Sequence, residues 1–278
     1  MRQRLSQTTN RYAFFRYPAR GVMKGQIPQL KPEMLSATSV PTAVSYFYAR
    51  EQAQAWHSHA TVQLTWCSRG AITIHTAQAS WTLPPWRGLW IPSGLPHQTH
   101  AQAGTQTHNL YLSETGEKKC IEALCPLRVT PLVHQLVNEL SAQHPARNAL
   151  ILPLLCNELS QAPAATVGCL PVVTEPRLLA LTGMLTMHPG NHQTLATLSL
   201  RAGTTSRTIA RLFRQHTGLT FAQWRQQLTI MTSINQLSQG VSVEEIAQQQ
   251  GYCNGSALIA MFSKVLGMTP QRYFALRS

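Results

Sequence analysis

One short pattern occurs twice between Leu195 and Phe274, and it limits the possible folds of this chain more tightly than any other feature. The stretch LATLSLRAGTTSRTIARLFRQHTG comes first, and VEEIAQQQGYCNGSALIAMFSKVLGMTP follows it. In the first, Leu195, Leu198 and Ala202 recur at helical spacing, so one apolar face packs inward. Gly203 tolerates the left-handed backbone of a tight exit, and Thr205 is placed to cap the next helix. Ile209, Leu212, Phe213 and His216 then form an inward face, with Arg207, Ala210, Arg211 and Arg214 opposite, before Gly218 ends the helix. In the second, Ser242 and Glu245 have capping-box spacing, Val243, Ile246 and Ala247 face inward, and Gly251 makes the turn. Leu258, Met261, Phe262 and Val265 anchor the last helix, leaving Ser256, Ala257, Ala260 and Lys264 outward. A connecting helix is expected over Phe221–Leu237, with Trp224, Leu228, Met231 and Ile234 apolar.

Each half is a helix-turn-helix, and two on one domain suit successive turns of double-stranded DNA. A guanidinium pairs bidentately with guanine in the major groove, so the first recognition helix is expected to read bases. The second offers little hydrogen bonding and is expected mainly to position the protein and touch methyl groups. The expected DNA-binding residues are Thr205, Ser206, Arg207, Ala210, Arg211 and Arg214, then Ser256, Ala257, Ala260 and Lys264. A solvated basic face explains most arginine stripes. Here the cap, the turn glycine and the repetition outweigh that reading.

The runs TTSRTIARLFRQHTGLTFAQWRQQL and GYCNGSALIAMFSKVLGMTPQRYF resemble the AraC/XylS family of bacterial transcription regulators over roughly residues 175–276. The resemblance implies base-reading positions at Arg207, Ala210 and Arg211, and at Ser256, Ala257 and Ala260. It also implies activation or repression of promoters, with RNA polymerase and a second copy of the chain as partners. Two departures stand out. Thr229 occupies a connecting-helix position where the family often has arginine, and Ala260 another; both bear on contacts made by the second half.

The net charge of +13 is unevenly spread. Lys and Arg concentrate before residue 33 and after residue 170, while the middle is balanced. That arrangement suggests a core facing small molecules or protein, joined to a domain facing a polyanion. No apolar run is long enough to cross a bilayer, so no membrane partner is expected and a cytoplasmic location is. The six cysteines (67, 120, 125, 156, 169 and 253) form no framework, which suits reduced thiols. A redox role for Cys120 and Cys125 competes with the commoner idle thiol. Residues 1–35 are basic without a signal-peptide core. They are either a disordered arm or an extension upstream of a start at Met23 or Met34, and the second is favoured because organised patterning begins only near Ser39.

Six short strands are expected at Val44–Tyr48, Val62–Cys67, Ala71–His75, Ala79–Leu83, Leu89–Ile91 and Asn109–Leu112. Even spacing of this kind suggests a small barrel or double-sheet jelly roll. Within it, His57 and His59 would face one side of a strand. Pro92 and Gly94 would turn His97 toward them, with Gln63 nearby. This constellation resembles cupin motifs, although metal-binding cupins usually have glutamate where Gln63 stands. Three imidazoles suffice for a divalent transition metal. The alternatives are histidines hydrogen-bonded within the barrel, or an effector pocket lined by His57, His59, Gln63, His97 and Trp90. His75, His100 and His108 lie near enough to tune such a pocket. Trp56, Trp66, Trp81 and Trp86 also fall here, mostly as core or rim. Regulators of efflux and resistance genes occur in the cupin-type subgroup, so a transporter gene is one expected target.

The expected fold is therefore α+β with two domains: a cupin-like barrel with flanking helices, then an all-α double helix-turn-helix domain. The divisions are 1–35, 36–116 (barrel), 117–162 (helices that pack on the barrel or form a dimer interface), 163–174 (linker) and 175–278. The two helices are expected over Pro131–Gln143 and Arg147–Gln161, with Pro153 kinking or delaying the second. The competing class is a metal-cupin enzyme, a dioxygenase or isomerase with a nucleic-acid-binding tail. The chain has no aspartate, and no glutamate lies between His57 and His97 to act as a base. A chromosome-organising protein, the third class, would need no sensor barrel.

Overall fold

The computed structural model describes residues 41–113, 123–140, 144–191 and 193–275. The N-terminal half is a double sheet. One sheet has the order β1 (Thr42–Tyr48), β8 (Thr105–Leu112), β3 (Val62–Arg69), β6 (Arg87–Ile91), β9 (Cys125–Arg128). The other runs β10 (Gly168–Pro171), β5 (Ala79–Leu83), β4 (Ile72–Thr76), β7 (His97–Ala101), β2 (Gln52–Ala53). Every pairing is antiparallel.

Side-chain alternation along β3 explains why its centre is buried on both faces. Leu64 and Trp66 point to helices α1 (Pro131–Asn138) and α2 (Pro145–Gln161), where they join Trp90, Leu110, Val133, Val137 and Leu155. Cys67 points the other way, into the space between the sheets, with Ile72, Ile74, Trp81, Leu83, Leu89 and Ile91. Thr130 caps α1 by accepting from Val133 N. Pro153 lies inside α2, which runs continuously to Gln161.

The structure adds four strands to those expected: the two-residue β2, and β7, β9 and β10. Strand β7 reads HQTHA and lacks large apolar residues. Strands β9 and β10 contain Pro126 and Pro171, and both are edge strands, where a residue without an N–H is tolerated. The segment expected as a linker thus completes the second sheet of the sensor half. His57 and His59 also differ from expectation: they lie in the connection between β2 and β3, and His57 forms only an isolated bridge to His97.

The C-terminal half is helical: α3 (Pro176–Met187), α4 (Leu195–Arg201), α5 (Ser206–Thr217), α6 (Phe221–Ser238), α7 (Val243–Gln249), α8 (Gly255–Leu266) and α9 (Pro270–Ala275). Helix α6 joins two cores. Its Trp224 and Leu228 pack with Leu178, Leu181, Leu198, Ile209 and Phe213. Its Ile230 and Ile234 pack with Ile246, Leu258, Phe262 and Tyr273. Gly203 and Gly251 take φ of +62° and +66° at the two helix-to-helix turns. His216 is exposed rather than inward, and Thr217 is buried in its place.

The halves touch through the connector. Gly168 lies so close to Met231 that a Cβ would sit 2.8 Å from its Cγ. Ala71 from the sensor half belongs to the second helical core. The Tyr273 hydroxyl donates to Thr166 O at 2.9 Å, and the Arg87 guanidinium stands 5.0 Å from the Tyr273 ring centroid.

Candidate functional site

The first candidate surface is built on α5. Thr205 takes an extended backbone and accepts from Thr208 N, which satisfies a helix-start donor. At the far end Gly218 takes φ +69° and its N–H donates to Arg214 O. With Ile209, Leu212 and Phe213 buried, the opposite face carries Arg207, Arg211 and Arg214 to solvent. Thr205 is exposed as well, while Ser206 and Ala210 are half-buried. Among the described residues no carboxylate pairs with these arginines; the ion pairs are His100–Glu51, Arg147–Glu139 and Arg177–Glu175. An uncompensated basic face of this kind attracts phosphates and presents guanidinium groups to base edges.

The second unit is assembled similarly, with fewer charges. Ser242 Oγ accepts from Glu245 N at 3.2 Å, and Asn254 caps α8 by accepting from Ala257 N. Glu244 stitches the two helices by accepting from Gly255 N at 2.8 Å, where a Cβ at Gly255 would come within 2.6 Å of the carboxylate. Ser256, Ala260 and Lys264 are exposed and Ala257 is half-buried. Thr229 is buried in α6, so that side chain offers nothing to a phosphate.

The second candidate site lies in the double sheet. His57 and His97 exchange backbone hydrogen bonds of 2.9 Å in both directions, which sets them opposite each other. Gly94, at φ +71°, donates to His59 O at 2.8 Å and draws the third histidine in. Each Nδ1 meets a backbone carbonyl: His57 with Ala55 O, His59 with Thr61 O, His97 with Leu95 O, at 2.8–2.9 Å. A carbonyl only accepts, so each Nδ1 carries the proton, and in a neutral ring Nε2 is left with a free lone pair. One ligand nitrogen from each ring lies within 4.8 Å of the others. His97 Nε2 is buried and has no partner. Burial, aided by neighbouring His57 and His59, pushes the His97 imidazole down to about 3. Burial likewise lowers His57. Neutral rings with oriented lone pairs are the form in which histidine ligates a metal.

Beside this cluster is a cavity whose walls come from alternate positions of β1 and β8. Tyr46, Tyr48, Thr107, Asn109 and Tyr111 line it, with Gln54, Gln63, Thr99, Ile72, Thr42 and Val44. The tyrosines, Thr107 and Asn109 were not singled out from the sequence, although period-2 spacing of polar residues on two strands was the available signal. Gln63 belongs to both features: its Oε1 is 2.9 Å from His59 Nε2 and it lines the cavity. Trp90 does not. Its place in β6 turns it to the opposite face, into the core under α1 and α2, which corrects the expectation of a pocket role.

The other histidines serve elsewhere. His75 bonds Ser80, His100 pairs with Glu51, and His108 lies between the hydroxyls of Ser45 and Ser68. Burial raises the Cys125 thiol, which disfavours the reactive thiolate, and Cys120 lies outside the described residues.

Comparison with known proteins agrees with this two-part layout. Residues 41–150 match the AraC-like ligand binding domain family, and residues 198–275 match a helix-turn-helix domain family. The chain is 32% identical over 224 residues to the HTH-type transcriptional regulator NimR of Escherichia coli K12, covering 79% of this chain and 81% of that protein. It is 22% identical over 213 residues to the HTH-type transcriptional regulator RipA of Corynebacterium glutamicum, covering 77% and 62%. Among solved structures, ToxT from Vibrio cholerae O395 aligns over 85% of this chain and 98% of that one, at 10% identity and a TM-score of 0.35. Among the described residues no helix is long and apolar enough to cross a membrane. The chain belongs to the AraC family of HTH-type transcriptional regulators, with a ligand-binding domain ahead of a DNA-binding domain.

Proposed function

We propose that the protein controls promoters in response to a small molecule received inside the double sheet. The observation that carries this reading is the meeting of the cavity and the three-histidine cluster at Gln63. Among the described residues no charged side chain lines the cavity, so an ion bound there would lack a counter-charge from them. An uncharged ligand with hydrogen-bonding groups suits it, and the tyrosine rings favour a planar one.

The cluster suits a divalent transition metal held by His57, His59 and His97. The three oriented Nε2 atoms and the orphaned nitrogen of His97 support that fit, because a buried polar atom without a partner is costly. Bound there, the metal would supply a fixed positive charge and a Lewis-acid position beside the cavity. The histidines' part is to hold Nε2 in place, through the carbonyls that fix each Nδ1.

We read the cluster as a sensor rather than a catalyst, because the surrounding strands contribute no carboxylate to act as a base. A homodimer formed through α2 is part of this reading. Leu150 and Leu154 stand exposed one turn apart, with Leu132 of α1 also exposed. Contact with RNA polymerase and a cytoplasmic location follow from action at promoters.

The experiment is sequencing of genomic fragments captured by the purified chain at near-physiological salt. Sharp peaks in promoters are expected, with neighbouring genes, an efflux transporter among the candidates, pointing to the effector class. A flat profile would refute promoter-specific control. His97→Ala is expected to keep the captured set while abolishing the effector response; equal loss of both would make His97 structural.

A further inference from the structure

We propose that Arg87 and Arg128 hold a small oxyanion, of the phosphate or carboxylate class, where the end of the double sheet meets α9. The pair neither lines the cavity nor joins the three-histidine cluster, so this site is separate from both.

Strand alternation fixes where Arg87 points. In β6, Trp90 packs under α1 and α2, whereas Leu89 and Ile91 pack between the sheets. Arg87, two residues before Leu89, shares their side and sends its guanidinium inward at the end of the strand. Only 2% of the residue is exposed, and Nη1 is buried without a partner among the described residues. The ion pairs among those residues are made by His100, Arg147 and Arg177, and none reaches Arg87. Its cross-strand neighbour carries the same sign: Arg128 stands directly opposite on β9. Like charges at directly opposed positions repel. Burial pushes the Arg87 guanidinium down, Tyr273 partly restores it, and Arg128 pushes it further down.

Tyr273 supplies some compensation, with its ring centroid 5.0 Å from the guanidinium carbon. A ring face offsets only part of the cost of taking a guanidinium out of water. The Tyr273 hydroxyl is already committed to Thr166 O. A buried water would satisfy the N–H and leave the charge. An oxyanion does both, because its oxygens accept from Nη1 while its charge answers two guanidinium groups at once. Arg128 is half-buried, so the pair reaches water on that side and an ion has a way in. A duplex phosphate cannot follow, since Arg87 lies inside the sheet. The ligand is therefore a free ion or the acidic group of a small molecule. Tyr273 belongs to the core of the second helix-turn-helix unit, with Ile246 and Phe262. An ion held beside its ring ties that unit to the sensor half, and occupancy favours the docked arrangement of the two.

The test follows the thermal midpoint of the full chain in sodium chloride, sodium phosphate and sodium acetate at matched pH and ionic strength. Phosphate, acetate or both are expected to raise the wild-type midpoint saturably, by about 2–4 °C at some fivefold over the dissociation constant. A response to phosphate alone assigns the phosphate class, and one to acetate alone the carboxylate class. Arg87→Met is expected to abolish the response. Arg128→Gln is expected to weaken the apparent affinity by at least ~10-fold, and it keeps the test open if the methionine variant fails to fold. In a nitrogen-15-labelled chain the Arg87 Nε–H signal, assigned by its loss in Arg87→Lys, is expected to shift along the same saturation curve. A full response in Arg87→Met, or an Arg87 signal that stays still while the midpoint rises, would place the ion elsewhere and overturn the proposal. A rise that never saturates is the general effect of an excluded salt and would overturn it too. No rise with either ion would leave the Tyr273 ring as the whole compensation, and the site would be refuted.

Discussion

Truncating single arginines on α5 should separate base reading from backbone attraction. Arg207 and Arg211 are exposed and carry no carboxylate partner among the described residues, so alanine at either position removes no ion pair with them and little packing. The bond from Arg211 Nη1 to Gln215 Oε1 at 3.2 Å is exposed and contributes little to stability. The loss should therefore appear in binding. A bidentate contact to guanine discriminates by about 1–3 kcal/mol, so each variant should weaken binding to a captured promoter fragment by roughly 5- to 150-fold. The same variants should lose far less on a scrambled fragment, where only phosphate attraction remains. On α8 the outward positions are Ser256, Ala257, Ala260 and Lys264, and only Lys264 carries charge. Lys264→Ala should weaken both fragments alike and reduce the salt slope by about 0.9. The assay is fluorescence anisotropy on labelled promoter and scrambled duplexes across a salt series. Equal losses on both duplexes for Arg207→Ala and Arg211→Ala would refute the assignment of base reading to α5.

Other consequences concern stability. Gly70 takes φ +82° and a Cβ there would lie 2.3 Å from Thr105 Oγ1. Gly70→Ala should therefore destabilise the sensor half by more than the ~1–2 kcal/mol of left-handed strain alone, as read by urea unfolding. Tyr273→Phe keeps the ring beside Arg87 but removes the hydrogen bond to Thr166 O, and should cost about 0.5–1.5 kcal/mol in the same measurement. Burial, with His134 adjacent, pushes His108 down to about 4 from an ordinary 6.5. Between those values the unfolded chain binds more protons, so stability should fall as pH drops through that window and gain nothing from His108 above it. His108→Gln should flatten the pH dependence of the urea midpoint there; an unchanged slope would remove His108 as its cause.

The helical half was the more legible in sequence. Its caps, turn glycines and buried faces are set by residues within a few positions of one another, and Thr205, Ser242, Gly203, Gly218 and Gly251 act as their types dictate. His216 was the exception: it falls close to the inward face, yet Thr217 is buried and His216 reaches water. In the sensor half, alternating apolar strands were visible, but β2, β7, β9 and β10 were not. Each is recruited by a neighbour across the sheet rather than by its own propensity.

By itself, then, the sequence determined the two-part layout and the double helix-turn-helix, while the meeting of His57 and His59 with His97 was an expectation that a long-range backbone bridge fulfils. Local periodicity, capping and turn chemistry act over a few residues and need no partner. Only the tertiary structure decided which face of β6 holds Trp90, that the connector becomes an edge strand, and that Gln63 joins the histidines to Asn109 and Tyr111. The last of these depends on the register between β3 and β8, which sets Gln63 opposite Tyr111, and a slip of one residue would turn every side chain to the other face; the first two depend likewise on the pairing of β6 with β3 and of β10 with β5.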